Sequence, residues 1–287
     1  MTTDSDLPND GGLAFDSVQI ERANGTRYRV LGHSDDHIFK QIASTQDFYE
    51  REVLDAISYL PMGDGDIFVD VGANIGNHTV FFAGPLQRHV YAFEPERGNL
   101  ANLSANLDAN GLGDRVQIFD CALGSEPGAA RLEQRIPGNS GTFYTVASNF
   151  EAADEVEVNR LDDLLVDFPV RLGLLKIDVE GAEISVLDGA ETVLRRDLPY
   201  VVVEAHDGLT YRRALERLVP HGYSCIAVAG WSDTYFFAPS WSPAVELRYM
   251  FSARQARLRD REVVTRLKSL DQRVRSLKSS VHLESSD

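Results

Sequence analysis

Residues 66–79 read Asp66-Ile-Phe-Val-Asp-Val-Gly-Ala-Asn-Ile-Gly-Asn-His-Thr79, and this stretch decides the fold of the chain. It begins with a nearly continuous apolar run, which is typical of a parallel strand buried on both faces. Gly72 and Gly76 follow and let the backbone approach a ligand closely, and the helix that comes next begins with free amide donors. The stretch therefore predicts a site for a nucleoside-bearing cofactor at the carboxyl end of a buried strand.

The glycine spacing indicates which cofactor this is. A dinucleotide-binding turn reads Gly-x-Gly-x-x-Gly and a P-loop ends in Gly-Lys-Ser/Thr, whereas this turn reads Asp70-x-Gly72-x-x-x-Gly76. Asn74, between the two glycines, tolerates a left-handed conformation. S-adenosylmethionine has no phosphate, and its ribose hydroxyls, ammonium and sulfonium suit an acidic strand end. We expect S-adenosylmethionine at Asp70, Gly72, Asn74 and Gly76, with NAD as the alternative.

The next two strands also end in acidic residues. Glu94 follows the strand His89 to Phe93 and lies 22 positions after Gly72, close to the roughly 20 positions that place a carboxylate on a ribose. We expect Glu94 to accept hydrogen bonds from the ribose hydroxyls. Asp120 ends the third strand, and with the backbone up to Ala122 it would meet the adenine edge. The alternative for Asp120 is a turn cap.

Ionisable residues concentrate where the fourth strand, Leu174 to Asp178, ends. Lys176 lies one step inside this apolar strand, and a buried ammonium needs a partner or a chemical role. We therefore predict that Lys176, Asp178 and Glu180 line the reaction site. The alternative is helix capping, in which acidic groups of a first turn stabilise the helix by about 0.3–1 kcal/mol each. For Glu183, which lies in the first turn of the following helix, capping is a sufficient explanation.

The fifth strand, Tyr200 to Glu204, leads to His206 at the same edge of the sheet. A histidine can accept a hydroxyl proton near neutral pH, so His206 is the predicted general base, and a surface loop histidine is the alternative. Oxygen-rich ligands suit magnesium or manganese, so Asp178, Glu204 and His206 are a possible metal set. We do not expect a metal.

Strands and helices alternate along the chain, which predicts an α/β, Rossmann-like core. At 287 residues, 43% of them hydrophobic, one main domain over 62–240 is expected. Residues 1–12 are predicted to be disordered and residues 13–61 to form a cap of one hairpin and one helix. Asn24-Gly25 is a hairpin turn signal that predicts positive φ at both residues.

Two helices and an insertion complete the predicted core. Helices are predicted over 47–57 in the cap and over 182–196 after the fourth strand. Residues 125–160 are rich in Gly, Pro, Ser and Asn and contain short strand-like pieces. This composition predicts an insertion over the edge of the sheet.

Composition also limits the partners and the cellular compartment. The net charge is -16, carried by the part of the chain before residue 251, so we expect no nucleic acid partner. Cys121 and Cys225 lie far apart in sequence and outside any metal-binding pattern, which makes disulfides and zinc unlikely. The start of the chain lacks an apolar signal segment, and no run of 18 apolar residues occurs, so a cytoplasmic protein without a membrane span is expected.

Residues 251–283 carry a separate pattern. Apolar side chains recur there at heptad spacing, at Ala256, Val263, Leu267, Leu270, Val274, Leu277 and Val281. This pattern predicts a C-terminal helix that forms a coiled coil and makes the protein a homo-oligomer. The alternative is one amphipathic helix packed on its own domain.

Several motifs resemble one family when they are taken in chain order. They are Phe68 to Gly76, Phe93-Glu94-Pro95, Ala122-Leu-Gly124, Leu161-Asp-Asp-Leu164, Lys176-Ile-Asp-Val-Glu-Gly-Ala-Glu183 and Val203-Glu204. Over about residues 48–237 the chain resembles the FkbM family of class I S-adenosylmethionine-dependent methyltransferases. The resemblance implies a seven-stranded, mostly parallel sheet with helices on both faces. It also assigns the glycine turn to Gly72–Gly76, the ribose acid to Glu94 and the acidic motif to Lys176–Gly181.

The resemblance implies an activity as well. Methyl transfer in this family usually goes to a hydroxyl oxygen of a sugar, glycan or polyketide, so we expect an O-methyltransferase acting on a small-molecule or glycan acceptor. Direct in-line displacement is the expected mechanism, with positioning and desolvation as the main sources of acceleration. The alternatives are an NAD-dependent sugar oxidoreductase and a non-catalytic cofactor fold that serves as an assembly module.

Overall fold

The computed structural model describes residues 15–134, 143–147, 155–165, 170–230 and 233–240, with the backbone alone for 143–147. The predicted disordered start, 1–12, and the predicted C-terminal helix, 251–283, lie outside these residues, so both stay predictions. Within the described ranges, no helix is both long and apolar enough to cross a membrane.

Strands and helices alternate through the described residues, after a hairpin and two helices at the beginning. The strands are β1 Asp16–Glu21, β2 Arg27–Gly32, β3 Ile67–Val71, β4 Val90–Phe93, β5 Val116–Phe119, β6 Ala122–Leu123, β7 Gly128–Gln134, β8 Phe143–Ala147, β9 Glu155–Asn159, β10 Leu172–Ile177, β11 Tyr200–Glu204, β12 Tyr223–Ala229 and β13 Thr234–Pro239. The helices are α1 His37–Thr45, α2 Arg51–Ser58, α3 Asn77–Ala83, α4 Arg97–Ala109, α5 Leu161–Leu165, α6 Glu183–Asp188, α7 Glu191–Asp197 and α8 Gly208–Leu218.

The central sheet has seven strands in the order β12-β13-β11-β10-β3-β4-β5. All neighbouring pairs from β11 to β5 are parallel, and β13 runs antiparallel to both β11 and β12. The predicted seven-stranded, mostly parallel sheet is therefore confirmed. The chain moves from β3 outward to β4 and β5, and later returns on the other side as β10 and β11. This reversal between β3 and β10 creates the crevice where open parallel sheets bind ligands.

The two faces of the sheet are buried in separate hydrophobic clusters. Phe68 and Leu174 belong to the cluster on one face, whereas their chain neighbours Val69 and Leu175 belong to the cluster on the other face. This alternation follows from the two-residue period of a strand. All four side chains are fully buried, and each such burial contributes roughly 1.5–3 kcal/mol.

The N-terminal cap packs against the first of these clusters. The buried residues there are Ile42 of α1, Phe48 between the two helices, Leu54 of α2 and Phe81 of α3, all fully or almost fully buried. Phe48 meets Phe81 edge to face, with ring centroids 5.2 Å apart. The cap is thus fixed beside the helix that follows the glycine turn, which brings the cap next to the crevice.

A second sheet, in the order β6-β9-β7-β8, combines β6 with three strands from 125–160, the segment in which the sequence predicted an insertion. Its strands β7, β8 and β9 pair antiparallel, and β6 joins them parallel to β9. Short strand-like pieces were expected in this segment, but their assembly into a sheet of their own was not. The reason is that their pairing joins residues distant in sequence, which a local pattern does not reveal.

Two local predictions were wrong in detail. Gly25 has a φ of 81°, but Asn24 is not in the left-handed region, and the Gly25 amide donates to the Arg22 carbonyl. The predicted helix over 182–196 is divided into α6 and α7. The division falls at Gly189, where a side-chain Cβ would overlap the carbonyl oxygen of Gly124, so the chain is pressed against the second sheet.

Helix α1 was missed by the sequence analysis, and α2 begins later than the helix predicted over 47–57. Asp36 caps α1 by accepting a hydrogen bond from the Phe39 amide at 2.8 Å. An Asp just before a stretch with apolar residues at helical spacing, here Ile38, Phe39 and Ile42, is a helix start signal that could have been recognised. Helix α2 starts at Arg51 because Glu50, its N-cap residue, has a left-handed conformation.

Candidate active site

A cavity of about 270 Å³ opens at the crevice between β3 and β10. The structure brings most of the predicted site residues to its wall, namely Gly72, Asn74, Glu94, Ala122, Lys176, Asp178, Glu180, Glu204 and His206. Asp70 and Gly76 lie behind this wall, in the floor. Asp120, the residue that follows β5, is exposed to solvent. It is not among the described residues that line the cavity.

The glycine turn brings the end of β3 into contact with the end of β10. Gly72 has a φ of 75°, and a Cβ at this position would overlap the backbone carbonyl oxygen of Asp178. Gly76 has a φ of 87°, and a Cβ there would lie 2.5 Å from Leu103. Both positions therefore require glycine for conformation and for space. The turn leaves room for a ligand above the strand ends.

Lys176 holds the floor of the cavity together. It lies opposite Asp70 in the parallel register of β10 and β3. Its ammonium is 3.2 Å from an oxygen of Asp70 and 3.3 Å from an oxygen of Asp178, and it donates a 3.1 Å hydrogen bond to the Gly72 carbonyl. Asp70 also accepts a 2.6 Å hydrogen bond from the Thr79 hydroxyl.

The charge of Lys176 decides what it can do chemically. Burial lowers the pKa of this ammonium, but the adjacent carboxylates of Asp70 and Asp178 outweigh burial, so its pKa is raised overall. Lys176 therefore stays protonated and cannot accept a proton. Its position supports a structural and orienting role beneath the site.

Asp178 remains a carboxylate at neutral pH. Burial opposes its ionisation, but the Lys176 ammonium and a hydrogen bond with Glu204 lower its pKa to about 2. Its backbone amide donates to the Val71 carbonyl at 3.1 Å, which continues the pairing of β10 with β3 beyond the strand ends. The carboxylate is thereby fixed at the switch point of the sheet.

Glu94 is a buried carboxylate on the opposite side of the cavity. One oxygen accepts a 2.8 Å hydrogen bond from the Asn74 amide. The other accepts hydrogen bonds from the Glu96 amide at 2.9 Å and from the Asn99 side chain at 3.3 Å. Burial outweighs these donors and raises the pKa of Glu94 to about 7. Glu94 is thus oriented by the glycine turn and by the start of α4.

His206 lies at the outer edge of the cavity, with its side chain 42% exposed. Its Nε2 atom is 3.3 Å from a carboxylate oxygen of Glu180 and 3.8 Å from one of Glu204. Two carboxylates are therefore placed to stabilise a protonated imidazole. Among the residues the structure describes, no three His, Cys, Asp or Glu side chains form a group that could hold a metal ion. The metal set Asp178, Glu204 and His206 is thus not assembled.

The cap supplies a wall of the cavity that sequence reasoning missed, through His37, Ile38, Tyr49 and Glu50. Asn77 joins this wall to α3, because its side chain accepts from the Tyr49 amide at 3.0 Å and donates to the Tyr49 carbonyl at 3.1 Å. Asn77 follows Gly76 directly, so its place beside the glycine turn could have been anticipated. Tyr49 and Glu50 give no local signal.

His78 and Glu50 face each other within this wall. The Nε2 atom of His78 is 3.5 Å from a carboxylate oxygen of Glu50. This nitrogen is buried and has no hydrogen-bond partner within the described ranges. Burial, followed by the charge of Lys176, lowers the pKa of His78 to about 4. His78 is therefore neutral at neutral pH, and the two side chains do not form an ion pair.

Three residues of the cavity wall have strained backbones. Glu50, Asn74 and Glu180 have φ values of 52°, 51° and 54° without being glycine. Such conformations cost of order 1–3 kcal/mol each and persist where the surrounding structure imposes them, often at functional sites. All three side chains reach the same cavity. Two of the three, Asn74 and Glu180, belong to the sequence motifs, and Glu50 comes from the cap.

Comparison with known proteins agrees with this geometry. Residues 70–237 match the family described as the methyltransferase FkbM domain, which is more than half of the 287-residue chain. The chain belongs to the FkbM methyltransferase family. As an FkbM-family member it is a methyltransferase, and the predicted class I Rossmann-like fold is confirmed by the sheet described above. Family membership favours methyl transfer over NAD-linked oxidation.

Three relatives illustrate the similarity. The chain is 28% identical over 232 residues to Methyltransferase 1 of Beauveria bassiana, covering 73% of this chain and 90% of that protein. It is 30% identical over 223 residues to the 31-O-demethyl-FK506 methyltransferase FkbM of Streptomyces tacrolimicus, covering 64% and 84%. It is also 30% identical over 148 residues to the hexuronic acid methyltransferase AglP of Haloferax volcanii, covering 51% and 58%.

Proposed function

We propose that this FkbM-family protein transfers the methyl group of S-adenosylmethionine to a hydroxyl oxygen of a sugar, glycan or related metabolite. The observation that carries the proposal is the cavity at the switch point, which has a glycine turn without a phosphate motif and a buried carboxylate, Glu94, beside it. The name of one relative, a 31-O-demethyl-FK506 methyltransferase, agrees with transfer to oxygen, and the name of another, a hexuronic acid methyltransferase, agrees with a sugar-derived acceptor.

The order of the strands suggests how the cofactor lies. Glu94 at the end of β4 would hold the ribose hydroxyls, and Ala122 at the second sheet would contact the adenine. Gly72 and Asp178, at the ends of β3 and β10, would hold the methionyl part. The residues fit this molecule because Gly72 adds no side chain to the cavity wall and Glu94 is held in place by three donors. When bound, S-adenosylmethionine supplies an electrophilic methyl group.

The acceptor enters on the remaining side, between the cap and the ends of β10 and β11. Tyr49 and Glu50 line this side of the cavity and would enclose the acceptor there. The cofactor would supply the methyl group to the acceptor oxygen, and the electron pair of its carbon–sulfur bond would stay with sulfur. His206 accepts the hydroxyl proton at Nε2, and Glu180 stabilises the resulting imidazolium. Glu180 itself is the alternative proton acceptor.

Isothermal titration calorimetry with S-adenosylhomocysteine and NAD tests the cofactor. We expect saturable binding of S-adenosylhomocysteine and none of NAD. Saturation by NAD alone would contradict the proposal.

Methyl transfer itself is tested by incubating the protein with cofactor that carries a labelled methyl group and with a panel of glycosides and polyols. Label that becomes attached through oxygen, identified by mass spectrometry, is the expected result, and label on nitrogen or carbon would contradict the O-specific assignment.

Replacing Glu94 with glutamine is expected to weaken the binding of S-adenosylhomocysteine by about 10- to 100-fold. The change removes a charged acceptor from the ribose hydroxyls, and a hydrogen bond to a charged group contributes about 1.5–3 kcal/mol. Titration calorimetry measures the change. The control is Asp108→Asn, which removes an exposed acid from the same helix region without touching the cavity. An unchanged affinity of E94Q would exclude the ribose assignment.

Cofactor affinity is also expected to depend on pH through Glu94. Its pKa is about 7 in the free protein, and ribose hydroxyls donate to the ionised form. Binding below pH 7 therefore requires the loss of a proton, so the affinity falls as the pH is lowered through 7, by up to about tenfold per pH unit, and is flat above it. Titrations at about pH 6 and pH 8 measure this difference. A dependence that persists in E94Q would assign it to another group.

A further inference from the structure

Three asparagine side chains of the described residues hold the N-terminal cap in place. Asn77, Asn106 and Asn110 each bind the backbone of one cap residue. In each case the side-chain oxygen accepts a hydrogen bond from the amide of that residue, and the side-chain nitrogen donates one to its carbonyl. We call this pair of hydrogen bonds an asparagine clamp, and it satisfies both polar groups of the backbone. Of these three described asparagines, Asn77 alone lines the cavity.

Asn77 connects two sides of the cavity. It is buried and directly follows Gly76, so its main chain continues the glycine turn that would hold the cofactor. Its side chain accepts from the Tyr49 amide at 3.0 Å and donates to the Tyr49 carbonyl at 3.1 Å. Tyr49 lines the side on which the acceptor would enter. One side chain therefore sets the position of the acceptor wall relative to the cofactor turn.

The chain on either side of Tyr49 is fixed as well. Phe48 is almost fully buried and meets the ring of Phe81 edge to face. Glu50 has a φ of 52°, a conformation that persists only where the surrounding structure imposes it. The ring of Tyr49 packs edge-on against that of His37, with centroids 6.1 Å apart. The backbone of Tyr49 is thus held from both sides and by the Asn77 clamp, which gives the acceptor wall a defined place.

We propose that Asn77 is a positioning residue for methyl transfer, which sets the distance between acceptor and cofactor by holding the Tyr49 backbone. This inference rests on the proposed function. Both polar groups of the Asn77 side chain are bound to Tyr49, so Asn77 acts through Tyr49 and not on the reacting atoms. In-line displacement requires the acceptor oxygen and the methyl group to be aligned, and a misplacement of about 1 Å costs about 100-fold in rate. Loss of the clamp therefore slows transfer while the cofactor still binds.

Asn77→Ala tests the inference with two probes. S-adenosylhomocysteine in titration calorimetry reports on the cofactor site, and its affinity is expected to stay unchanged. Transfer is measured with labelled S-adenosylmethionine and the member of the glycoside and polyol panel that gains most label from the unaltered protein. We expect the rate to fall about 10- to 100-fold and the fall to persist at saturating cofactor. Asn77→Asp retains the acceptor for the Tyr49 amide, so its rate should fall less.

Asn110→Ala is the matched control, because it removes the same kind of clamp from the cap. Asn110 accepts from the Arg29 amide at 2.8 Å and donates to the Arg29 carbonyl at 2.6 Å, away from the described residues that line the cavity. It also donates to the Asn106 carbonyl, so a merely structural loss would appear in this control too. We expect its transfer rate to be unchanged. Thermal melting shows whether each variant is folded.

Hydrogen exchange of the Tyr49 amide, followed by NMR, tests the clamp without any variant. This amide donates to the Asn77 side chain, so in the unaltered protein it should exchange much more slowly than an unprotected amide. In Asn77→Ala its exchange should accelerate, and in Asn110→Ala it should not.

The outcomes separate the inference from the proposed function. If the unaltered protein labels no member of the panel, the proposed function fails and the inference fails with it. If the unaltered protein transfers label and the folded Asn77 variants transfer it at the same rate, the inference alone is overturned. An equal fall in Asn110→Ala would also overturn it, because the effect would then come from loosening the cap in general. Unprotected exchange of the Tyr49 amide in the unaltered protein would overturn it as well.

Discussion

Lys176→Met is expected to lower the free energy of unfolding by about 3–5 kcal/mol, because removal of one partner leaves a buried charge uncompensated. Asp70 is fully buried and would retain the Thr79 hydroxyl as its neighbour without a cation. The Gly72 carbonyl would lose its hydrogen bond to the ammonium. Urea denaturation followed by circular dichroism measures the change.

Lys40→Met is the matched control, because Lys40 is exposed and its ammonium donates to the backbone carbonyl of Asp35. We expect it to change stability by less than about 0.5 kcal/mol. The double variant Lys176→Met with Asp70→Asn should recover part of the lost stability, because it removes the stranded charge. A loss of less than about 1 kcal/mol in K176M would show that Asp70 is not held as an anion by Lys176.

Gly72→Ala is expected to destabilise the protein by about 2–5 kcal/mol and to remove cofactor binding. A positive φ costs an alanine about 1–2 kcal/mol, and overpacking adds about 1–3 kcal/mol. The overlapping atom is the carbonyl oxygen of Asp178, part of the backbone, so it cannot move without displacing the end of β10. Denaturation and calorimetry with S-adenosylhomocysteine measure the two effects.

Gly25→Ala separates strain from overlap. Gly25 has a φ of 81°, close to that of Gly72, but a Cβ there has no described atom within 4 Å. We expect this control to cost about 1–2 kcal/mol and to leave cofactor binding intact. If the two variants were equally stable, the contact between the glycine turn and β10 would not be tight, and the floor of the cavity would be less constrained than the structure indicates.

The sequence was sufficient to predict the central sheet and one side of the site. Each buried strand was marked by an apolar run, and in a parallel sheet the residues that follow the strands meet at one edge. Gly72, Glu94 and Asp178 could therefore be placed together without knowledge of tertiary contacts, and the structure brings all three to one cavity. The chemical roles assigned to these residues stay predictions.

The other side of the site could not be predicted because it depends on tertiary packing. Glu50 reaches the cavity through the packing of α1 and α2 against α3 and through its own left-handed backbone, and no local pattern marks either feature. The prediction that Asp120 lies at the cavity fails for the opposite reason. It ends a strand as expected, but its side chain is exposed, because the backbone turns at once into β6 and presents Cys121 and Ala122 to the cavity.

The wall that the cap contributes lies before residue 70, where the match to the family begins. The family motifs and the cavity wall formed by the cap thus come from separate stretches of the chain. Natural selection can remodel His37 to Glu50 while the motif-bearing stretch stays constant. Descendants of one ancestral gene can in this way diverge in the molecules they modify and still share the same donor.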